Sequence, residues 1–414
     1  MRILHTSDWH LGKYLEHQSR LQEQSAFIDE LVTIAAEQAV DLILVAGDVY
    51  DTMNPPAAAE GLFYQAMIRL SDGGRRAVLV IGGNHDSAER LSAVSPVLAE
   101  LPVIVLGAPK SVAQTGSYAH FAVTEAGEGY VCLSLNGEEA VVLTLPYPSE
   151  RRLNEVFFQE GDGEGELQKS YSDKISDILH TLSAKFRPDT VNIITGHFYV
   201  AGGESSRSER DIQLGGVYAV SPAAFPESAQ YIAMGHLHRA QRIPHTVPHA
   251  YYCGSPIQYD KSEAAYAKCV YVAELHPGRE AAVEKVYLRN YKPILLWKAS
   301  SVEEAVAMCE TGTENGWISL EIETDRPMAS SEIKAMRTAQ KDLIEITPVI
   351  RNTAGAGVPE GEAPAEDKSI TEEFAAYYAQ RRQGSAPGGA VMELFARLVA
   401  FEEGDTDETP ATEG

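Results

Sequence analysis

The chain has 414 residues, of which 59 are acidic and 34 are basic, so its formal net charge is −25. This length is sufficient for roughly two or three domains, and a composition of 44% hydrophobic and 22% charged residues excludes global disorder and a fibrous repeat. The acid excess argues against a chain that holds a polyanion unaided, because contacts to phosphate groups come mainly from Lys and Arg.

The cellular setting follows from features that the sequence lacks. Its four cysteines are far apart and do not have the spacing of a zinc knuckle or a disulfide framework, which predicts reduced thiols. No apolar run approaches the roughly 20 residues that span a membrane, and the N-terminus does not have the pattern of a signal peptide. We therefore expect a cytoplasmic protein that does not bind membranes.

Short apolar segments alternate with amphipathic segments over the first part of the chain. The predicted strands are Arg2–His5, Asp41–Ala46, Ala77–Ile81, Val191–Thr195 and Tyr231–Met234. The intervening segments repeat apolar residues at spacings of three and four, as amphipathic helices do. This alternation is typical of a sheet covered by helices on both faces, so we predict an α/β domain over residues 1–278. Strand-like runs between residues 103 and 146 predict a second sheet.

The remainder of the chain divides into a small domain and a tail. Residues 279–352 predict a strand–helix–strand–helix–strand unit, with Ser301 and Ser331 as N-caps of helices that end at residues 310 and 344. Residues 353–368 have the composition of a linker. Two short amphipathic helices are predicted within residues 369–403, and residues 404–414 form an acidic tail.

Five polar clusters each follow a predicted strand directly. They are Asp8-Trp9-His10, Gly47-Asp48-Val49-Tyr50-Asp51, Gly83-Asn84-His85-Asp86, Gly196-His197 and Gly235-His236-Leu237-His238. Open α/β sheets place their ligand sites at the carboxyl ends of the strands, so we expect the clusters to meet. Asp-x-His or Gly-Asp-x-x-Asp alone is ordinary turn or surface chemistry, Gly-His-x-His alone fits a hairpin or loop edge, and Gly-Asn-His-Asp is a stronger signal because a turn does not need four such polar residues. All five together, each at a strand end, indicate a functional site.

The residue types in the clusters favour a site for two metal ions. Asp, Asn and His supply oxygen and imidazole ligands without thiolates, which suits manganese, iron or zinc. The spacing of Asp8 with His10 and of His236 with His238 would place both side chains on one side of an extended segment. Asp48, after a central strand, is able to bridge two ions, and such a pair suits in-line attack on a phosphate group.

This constellation resembles the calcineurin-like metallophosphoesterase superfamily. Within it, the segments 2–12, 45–52 and 231–241 are similar to the SbcD family, the nuclease subunits of bacterial SbcCD complexes. The similarity extends over about residues 1–275, and the small domain resembles the capping domain of that family. The resemblance implies an α/β fold in which two sheets form a metallophosphoesterase sandwich with helices on the outer faces, followed by the small α/β capping domain and C-terminal helices.

The resemblance also implies roles for residues in the motifs. It assigns two ligand sets that share one carboxylate: Asp8, His10, Asp48 and His238 for the first ion, and Asp48, Asn84, His197 and His236 for the second. His85 would face the scissile phosphate, where it would stabilise the transition state or protonate the leaving oxygen. Asp86 would either orient His85 by accepting a ring N–H or hold the turn.

The activity implied by this family is a manganese-dependent exonuclease on double-stranded DNA and an endonuclease on single strands and hairpins. It would act with an SMC-like ABC ATPase, SbcC, in the processing of DNA ends for repair, recombination and replication. A homodimer within a heterotetramer is expected. The helices in 369–403 would dock on the ATPase coiled coil or, alternatively, pack on the chain's own core.

Other functions remain open from the sequence. A stand-alone metallophosphatase or a cyclic-nucleotide phosphodiesterase would use the same metal chemistry, and a non-catalytic scaffold would bind only DNA ends or the ATPase. An Arg-Gly pair does not follow Asp51, which argues against a protein Ser/Thr phosphatase. Five arginines near the motifs would either line a DNA groove or be scattered surface charge: Arg20, Arg207, Arg210, Arg239 and Arg242.

Overall fold

The structure, a computed structural model, describes residues 1–93, 103–153, 164–206, 208–209, 218–350 and 391–392. Residues 1–351 form one compact unit. The predicted linker at 353–368 and the acidic tail at 404–414 lie outside the described residues. The same is true of the helices predicted within 369–403, apart from residues 391–392.

Nineteen strands and seven α-helices lie in the described part of the chain. The strands are β1 (Arg2–Thr6), β2 (Tyr14–Leu15), β3 (Gln18–Ser19), β4 (Leu42–Ala46), β5 (Ala77–Ile81), β6 (Val103–Leu106), β7 (Gly116–Ser117), β8 (Phe121–Gly127), β9 (Tyr130–Leu135), β10 (Glu138–Leu145), β11 (Val191–His197), β12 (Tyr231–Gly235), β13 (Gln241–Arg242), β14 (Ala250–Tyr252), β15 (Cys269–Glu274), β16 (Ala282–Tyr287), β17 (Ile294–Ala299), β18 (Trp317–Thr324) and β19 (Leu343–Ile350). The helices are α1 (Leu21–Glu37), α2 (Ala57–Ser71), α3 (Ala88–Ser92), α4 (Glu150–Leu153), α5 (Glu164–Leu182), α6 (Val302–Thr311) and α7 (Ser330–Ala339).

Two large sheets pack face to face. The first has the strand order β16-β15-β1-β4-β5-β6, and the second has the order β13-β14-β12-β11-β10-β9-β8-β7. Alternate side chains of facing strands, among them Leu44, Leu79, Val142 and Ile193, form the apolar layer between the sheets. Helices α1 and α2 cover the outer face of the first sheet, and α5 covers the outer face of the second. The predicted two-sheet α/β sandwich is confirmed.

One strand of the sandwich belongs to a different sheet from the one predicted. Val103–Leu106, which we expected in the second sheet, pairs in parallel with β5 at the edge of the first sheet. Val103 and Val105 pack toward the helix-covered face, whereas Ile104 and Leu106 pack between the sheets. A strand that is apolar on both faces fits either sheet by its sequence, so only the pairing distinguishes them.

The sequence predicted that the first domain ends at residue 278, but the first sheet extends further along the chain. Strand β16 pairs antiparallel with β15, so residues 282–287 extend the first sheet. The small sheet begins with β17 at Ile294. The alternating apolar residues of β16 do not indicate which sheet the strand joins. Its pairing with β15 is what places it in the first sheet.

The small domain is a parallel three-stranded sheet, β17-β18-β19, with α6 and α7 packed against it. Ser301 caps α6, as predicted, because its hydroxyl accepts from Glu304 N at 3.2 Å. The predicted cap at Ser331 is wrong: Ala329 is the N-cap of α7, and the Glu332 carboxylate accepts from its backbone N–H at 2.7 Å. The helix ends at residue 339 because Leu343 begins β19.

Polar contacts join the small domain to the first domain. Trp317 Nε1 donates to Glu23 Oε1 at 2.7 Å, and the backbone N–H of Ile294 donates to Gln258 Oε1 at 2.9 Å. Lys261 and Glu345 form an ion pair at 2.7 Å.

None of the helices in the described ranges combines the length and apolarity needed to cross a bilayer.

His5 lies fully buried between the two large sheets. Its Nδ1 accepts from the Tyr231 hydroxyl at 3.0 Å, and its Nε2 donates to the Met234 carbonyl at 3.1 Å. Burial lowers the pKa of His5 to about 3, although the hydrogen bond to Met234 acts in the opposite direction. His5 is therefore a neutral packing residue that ties β1 to β12.

The buried state of His5 makes stability depend on pH. Below its ordinary pKa the unfolded chain binds a proton that the folded chain excludes, so the free energy of unfolding falls by about 1.4 kcal/mol per pH unit between about pH 6.5 and pH 3. We expect the loss from about pH 7.5 to about pH 5 to be smaller by about 2 kcal/mol in His5→Gln, measured by urea unfolding with EDTA. The exposed His180→Gln variant should keep the wild-type slope. Equal slopes for the His5 variant and the wild type would contradict this prediction.

Candidate metal centre

The five polar clusters meet at one edge of the sandwich. Strands β1, β4 and β5 are parallel neighbours in the first sheet, and β11 and β12 are parallel neighbours in the second. Since the carboxyl ends of these strands point the same way within each sheet, the segments that follow them converge. The close pairs described below come from both sheets, so the site lies across the junction between them.

The first group consists of Asp8, His10 and His238. One ligand atom from each lies within 4.8 Å of the others, and all three side chains are buried. His10 Nε2 and His238 Nε2 are only 3.0 Å apart. Two imidazole nitrogens at this distance require one of them to carry a proton, and a cation between the lone pairs would satisfy both at once. The donor set therefore fits a divalent metal ion.

Asp48 lies between the two groups of expected ligands. Its Oδ2 is 3.6 Å from His10 Nε2 and 3.4 Å from His197 Nε2. Its Oδ1 accepts from the backbone N–H of His85 at 2.9 Å. One carboxylate oxygen therefore faces imidazoles of both groups. A ligand that bridges two metal ions requires this position.

The second group consists of Asn84, His197 and His236. Asn84 Oδ1 is 2.9 Å from His197 Nε2 and 3.0 Å from His236 Nδ1. His197 Nδ1 donates to the Ala46 carbonyl at 2.8 Å, which leaves Nε2 as the nitrogen for a metal ion. All seven side chains predicted as ligands are thus brought together in the two groups and at Asp48.

The backbone at these motifs is not extended, contrary to the expectation from the Asp8/His10 spacing. Asp8, His10 and Asp48 have φ angles of 52°, 44° and 49°, and His236 has 109°. The two loops are joined by hydrogen bonds from Asp8 N to Gly47 O and from His10 N to Asp48 O, each 3.0 Å long. Left-handed backbone costs a non-glycine residue roughly 1–2 kcal/mol, so the surrounding contacts must hold it in place.

Two glycines in the motifs are required by close approach. A Cβ atom at Gly83 would lie 2.1 Å from Asp48 Oδ1, and one at Gly47 would lie 2.3 Å from His197 Nδ1. Gly47 also has a φ of +88°. These glycines therefore allow the Asp48 carboxylate and the His197 ring to reach the centre of the site.

Burial dominates the electrostatics of the centre. It raises the pKa of Asp8 to about 6 and lowers the pKa of His10 to about 3. Burial alone would lower the pKa of His197, but the adjacent Asp48 carboxylate outweighs it and raises the pKa to about 9. A buried carboxylate is costly unless a positive charge lies next to it, and a divalent cation would serve in place of the His197 proton.

His85 is held next to the first group. Its Nδ1 donates to the Asp51 carbonyl at 2.7 Å, and its ring contacts that of His10 edge-on, with 4.7 Å between the centroids. The donation fixes the tautomer, so Nε2 is the nitrogen available to a substrate. The side chain is 7% exposed, which places it at the border between the site and solvent.

Asp86 does not orient His85, and this part of the prediction is wrong. Its carboxylate accepts from three backbone N–H groups, those of Val49 at 3.1 Å, Tyr50 at 2.9 Å and Gly83 at 2.8 Å. These three charge-assisted hydrogen bonds occupy the carboxylate, and the His85 ring N–H goes to the Asp51 carbonyl instead. The alternative role, a structural one that ties two motif loops together, is the one that the hydrogen bonds bear out.

Sequence reasoning missed three residues that support the site. Arg152 in α4 donates to the Gly83 carbonyl at 2.8 Å and to the Asp86 carbonyl at 2.5 Å. Asp51 supplies the carbonyl that holds His85, and Glu263 lies beside His238. Asp51 belonged to a recognised motif, but no pattern in the sequence pointed to Arg152 or Glu263.

The arginines proposed for DNA contact are only partly available. Arg20 is fully buried and donates to Glu23 Oε1 at 2.6 Å, so it is a structural residue. Arg239 pairs with Glu204, and Arg242 is exposed. The other two, Arg207 and Arg210, lie outside the described residues.

Comparison with known proteins agrees with the geometry. A model of the calcineurin-like phosphoesterase family matches residues 1–240. Over 405 residues the chain is 40% identical to the SbcD subunit of the SbcCD nuclease of Bacillus subtilis (strain 168), an alignment that covers 97% of this chain and 99% of that protein. The protein of the same name from Escherichia coli (strain K12) is 30% identical over 417 residues, or 99% and 95% of the two chains. That from Rhodobacter capsulatus is 34% identical over 299 residues, 71% of each chain.

The central position of Asp48 leads to a prediction on metal binding. We expect the full chain to bind two Mn²⁺ ions in isothermal titration calorimetry and Asp48→Asn to lose both high-affinity events, because the amide removes the charge that both groups share. Glu60→Gln, a change in an exposed ion pair on α2, is the control and should bind as the wild type does. One intact event in Asp48→Asn would show that this carboxylate does not bridge.

Proposed function

The chain belongs to the SbcD family of calcineurin-like phosphoesterases, and from this membership and the geometry of the site we propose that it is a DNA nuclease that uses two manganese ions. The family relationship makes it a metal-dependent phosphodiester hydrolase. The two-sheet fold and the convergence of the motifs agree with that activity. Manganese, the form of DNA and the partner are the parts that we propose.

The observation that carries the proposal is the position of Asp48 between two clusters of nitrogen and oxygen ligands. Asp8, His10 and His238 would hold one ion, and Asn84, His197 and His236 would hold the other, with Asp48 shared. Ligands of this type without thiolates suit manganese. Two bound ions would activate a water molecule and stabilise charge on the phosphoryl oxygens.

His85 would act on the substrate directly. His85 Nδ1 donates to the Asp51 carbonyl, so Nε2 would donate to a phosphoryl oxygen or to the leaving oxygen as the imidazolium, which carries a proton on both ring nitrogens and becomes neutral when it gives up the one on Nε2. The loop that carries His85 is fixed from both sides, by Asp86 from within and by Arg152 from outside. Such support would hold the ring at hydrogen-bonding distance from a phosphate group bound at the site.

The charge of the chain supports a partner in DNA binding. A net charge of −25 repels a polyanion, and of the arginines considered for DNA contact Arg20 is buried and Arg239 is paired with a carboxylate. We propose that an SMC-like ABC ATPase of the SbcC type supplies most of the positive surface that holds the DNA. The complex would contain two copies of this chain. It would process DNA ends and hairpins in the cytoplasm during repair, recombination and replication. The names of the relatives, each the SbcD component of an SbcCD nuclease, are the support for this partner.

The nuclease activity is tested with end-labelled duplex DNA and Mn²⁺, with and without the ATPase. We expect degradation by the wild type, loss by EDTA, and a rate about 10²–10⁴-fold lower for His85→Gln, since a positioned proton donor contributes about that factor. His85→Gln should still bind two Mn²⁺ ions, whereas the exposed His180→Gln should cut as the wild type does. Unchanged cleavage by His85→Gln would contradict the role of this residue.

The same samples distinguish the rival activities. A metallophosphatase would release phosphate from a monoester but leave the DNA intact, and a cyclic-nucleotide phosphodiesterase would open a cyclic phosphate instead. A scaffold would bind DNA ends or the ATPase with no metal-dependent product. Absence of cleavage in the presence of the ATPase, with hydrolysis of a monoester, would overturn the nuclease proposal.

The segment 369–403 is proposed as the part that binds the ATPase. We expect its deletion to abolish co-purification with the ATPase, because an amphipathic helix pair behind a linker is a common docking element. Metal-dependent hydrolysis of a small phosphodiester should remain, since the described site lies within residues 1–351. Deletion of the tail 404–414 alone is the control and should leave co-purification intact. Retained co-purification without 369–403 would exclude this docking role.

A further inference from the structure

His238 is enclosed by buried polar groups that none of the five motifs contains. Glu263, at the end of a short 3₁₀ helix (Lys261–Glu263), is completely buried, and Lys268 is 7% exposed. Both lie beyond the last motif in the sequence and, within the described residues, touch no other expected ligand. A buried Glu and Lys next to one ligand histidine call for an explanation, because burying two charges is costly.

A hydrogen-bond relay connects the Glu263 carboxylate to the His238 ring. His238 Nδ1 is 2.6 Å from Ser208 Oγ, and Ser208 Oγ donates to Glu263 Oε1 at 2.5 Å. Glu263 Oε1 itself is 3.6 Å from His238 Nδ1. The ring, the hydroxyl and the carboxylate therefore form a continuous path.

The chemistry of the three groups fixes the direction of this relay. An ionised carboxylate can only accept, so the Ser208 hydroxyl proton must point to Glu263. The Ser208 oxygen then accepts from the ring, which places the proton of neutral His238 on Nδ1. Nε2 is left with its lone pair, and Nε2 is the atom that faces His10 Nε2 at 3.0 Å.

Lys268 keeps the relay in this direction. Its ammonium group contacts Glu263 Oε2 and donates to the His238 carbonyl at 3.0 Å and to Ser255 Oγ at 2.7 Å. An ion pair holds the carboxylate in its charged, acceptor-only form. The backbone N–H of His238 donates to Glu209 Oε1 at 2.7 Å, so both the main chain and the ring of this residue are fixed.

We propose that Glu263, held by Lys268 and acting through Ser208, is a positioning residue that sets the tautomer of His238 and presents its Nε2 to the first metal ion. This inference rests on the metal site of the proposed function and adds residues outside its motifs. Outer partners of ligand histidines typically contribute a factor of about 10–100 to metal affinity. The effect is confined to the first ion, because Asn84, His197 and His236 make no contact with this relay in the described structure.

The test removes both buried charges together, so that neither is left unpaired. In the full chain, Glu263→Leu with Lys268→Met should weaken one of two Mn²⁺ binding events by about 10–100-fold in isothermal titration calorimetry, while the other event keeps its affinity. The matched control is Glu23→Leu with Arg20→Met, which removes another buried ion pair that touches no expected ligand. It should leave both binding events unchanged. Wild-type affinities for both ions in the folded Glu263/Lys268 variant would overturn the inference.

A second measurement reads the relay in the wild-type chain, with both buried charges in place. The tautomer of His238 is read in the metal-free wild-type chain by ¹⁵N NMR of histidine-labelled protein, with His238→Gln used to assign the signal. We expect the proton on Nδ1; a proton on Nε2 alone would overturn the inference. If the wild type binds no Mn²⁺, the proposed metal site fails, whereas the tautomer still tests the relay by itself.

Discussion

The structure of the site depends on one buried carboxylate, that of Asp48, at the junction of two sheets. It lies at the end of a strand in the first sheet and faces His10 from that sheet and His197 from the second. A carboxylate in this position is stable only with positive charge and hydrogen-bond donors around it. Gly83 makes room for it, and the backbone N–H of His85 donates to it, so the loops at the strand ends are arranged around this group.

Around this centre, each motif loop is held by side chains from elsewhere in the fold. Asp86 and Arg152 fix the loop that carries Asn84 and His85, and Glu263 lies behind His238. Such supporting contacts place ligands and catalytic groups within the narrow tolerance that catalysis requires. The contacts of the small domain with Glu23, Gln258 and Lys261 reach the same region, because Lys261 belongs to the short helix that ends at Glu263.

The acid excess has a different meaning once the site is known. A negative chain is a poor ligand for DNA by long-range electrostatics, yet hydrolysis of a phosphodiester occurs where metal ions reverse the local field. Asp8 and Asp48 belong to that local site and contribute to the excess. In the proposed function, the overall charge would bear on how DNA is held, and the metal centre would bear on how it is cut.

From the sequence alone, the strands that carry the motifs and the order of the motifs were predictable, whereas the seven expected ligands followed from the resemblance of those motifs to a known family. Continuous apolar runs ending in polar clusters are local patterns, and local patterns are legible without a fold. Only the folded structure shows that β16 extends the first sheet and that Arg20 is buried. It also shows that Asp86 holds a turn and that Arg152 and Glu263 support the site. These facts depend on register and on contacts between residues far apart in the chain, for which no spacing rule exists.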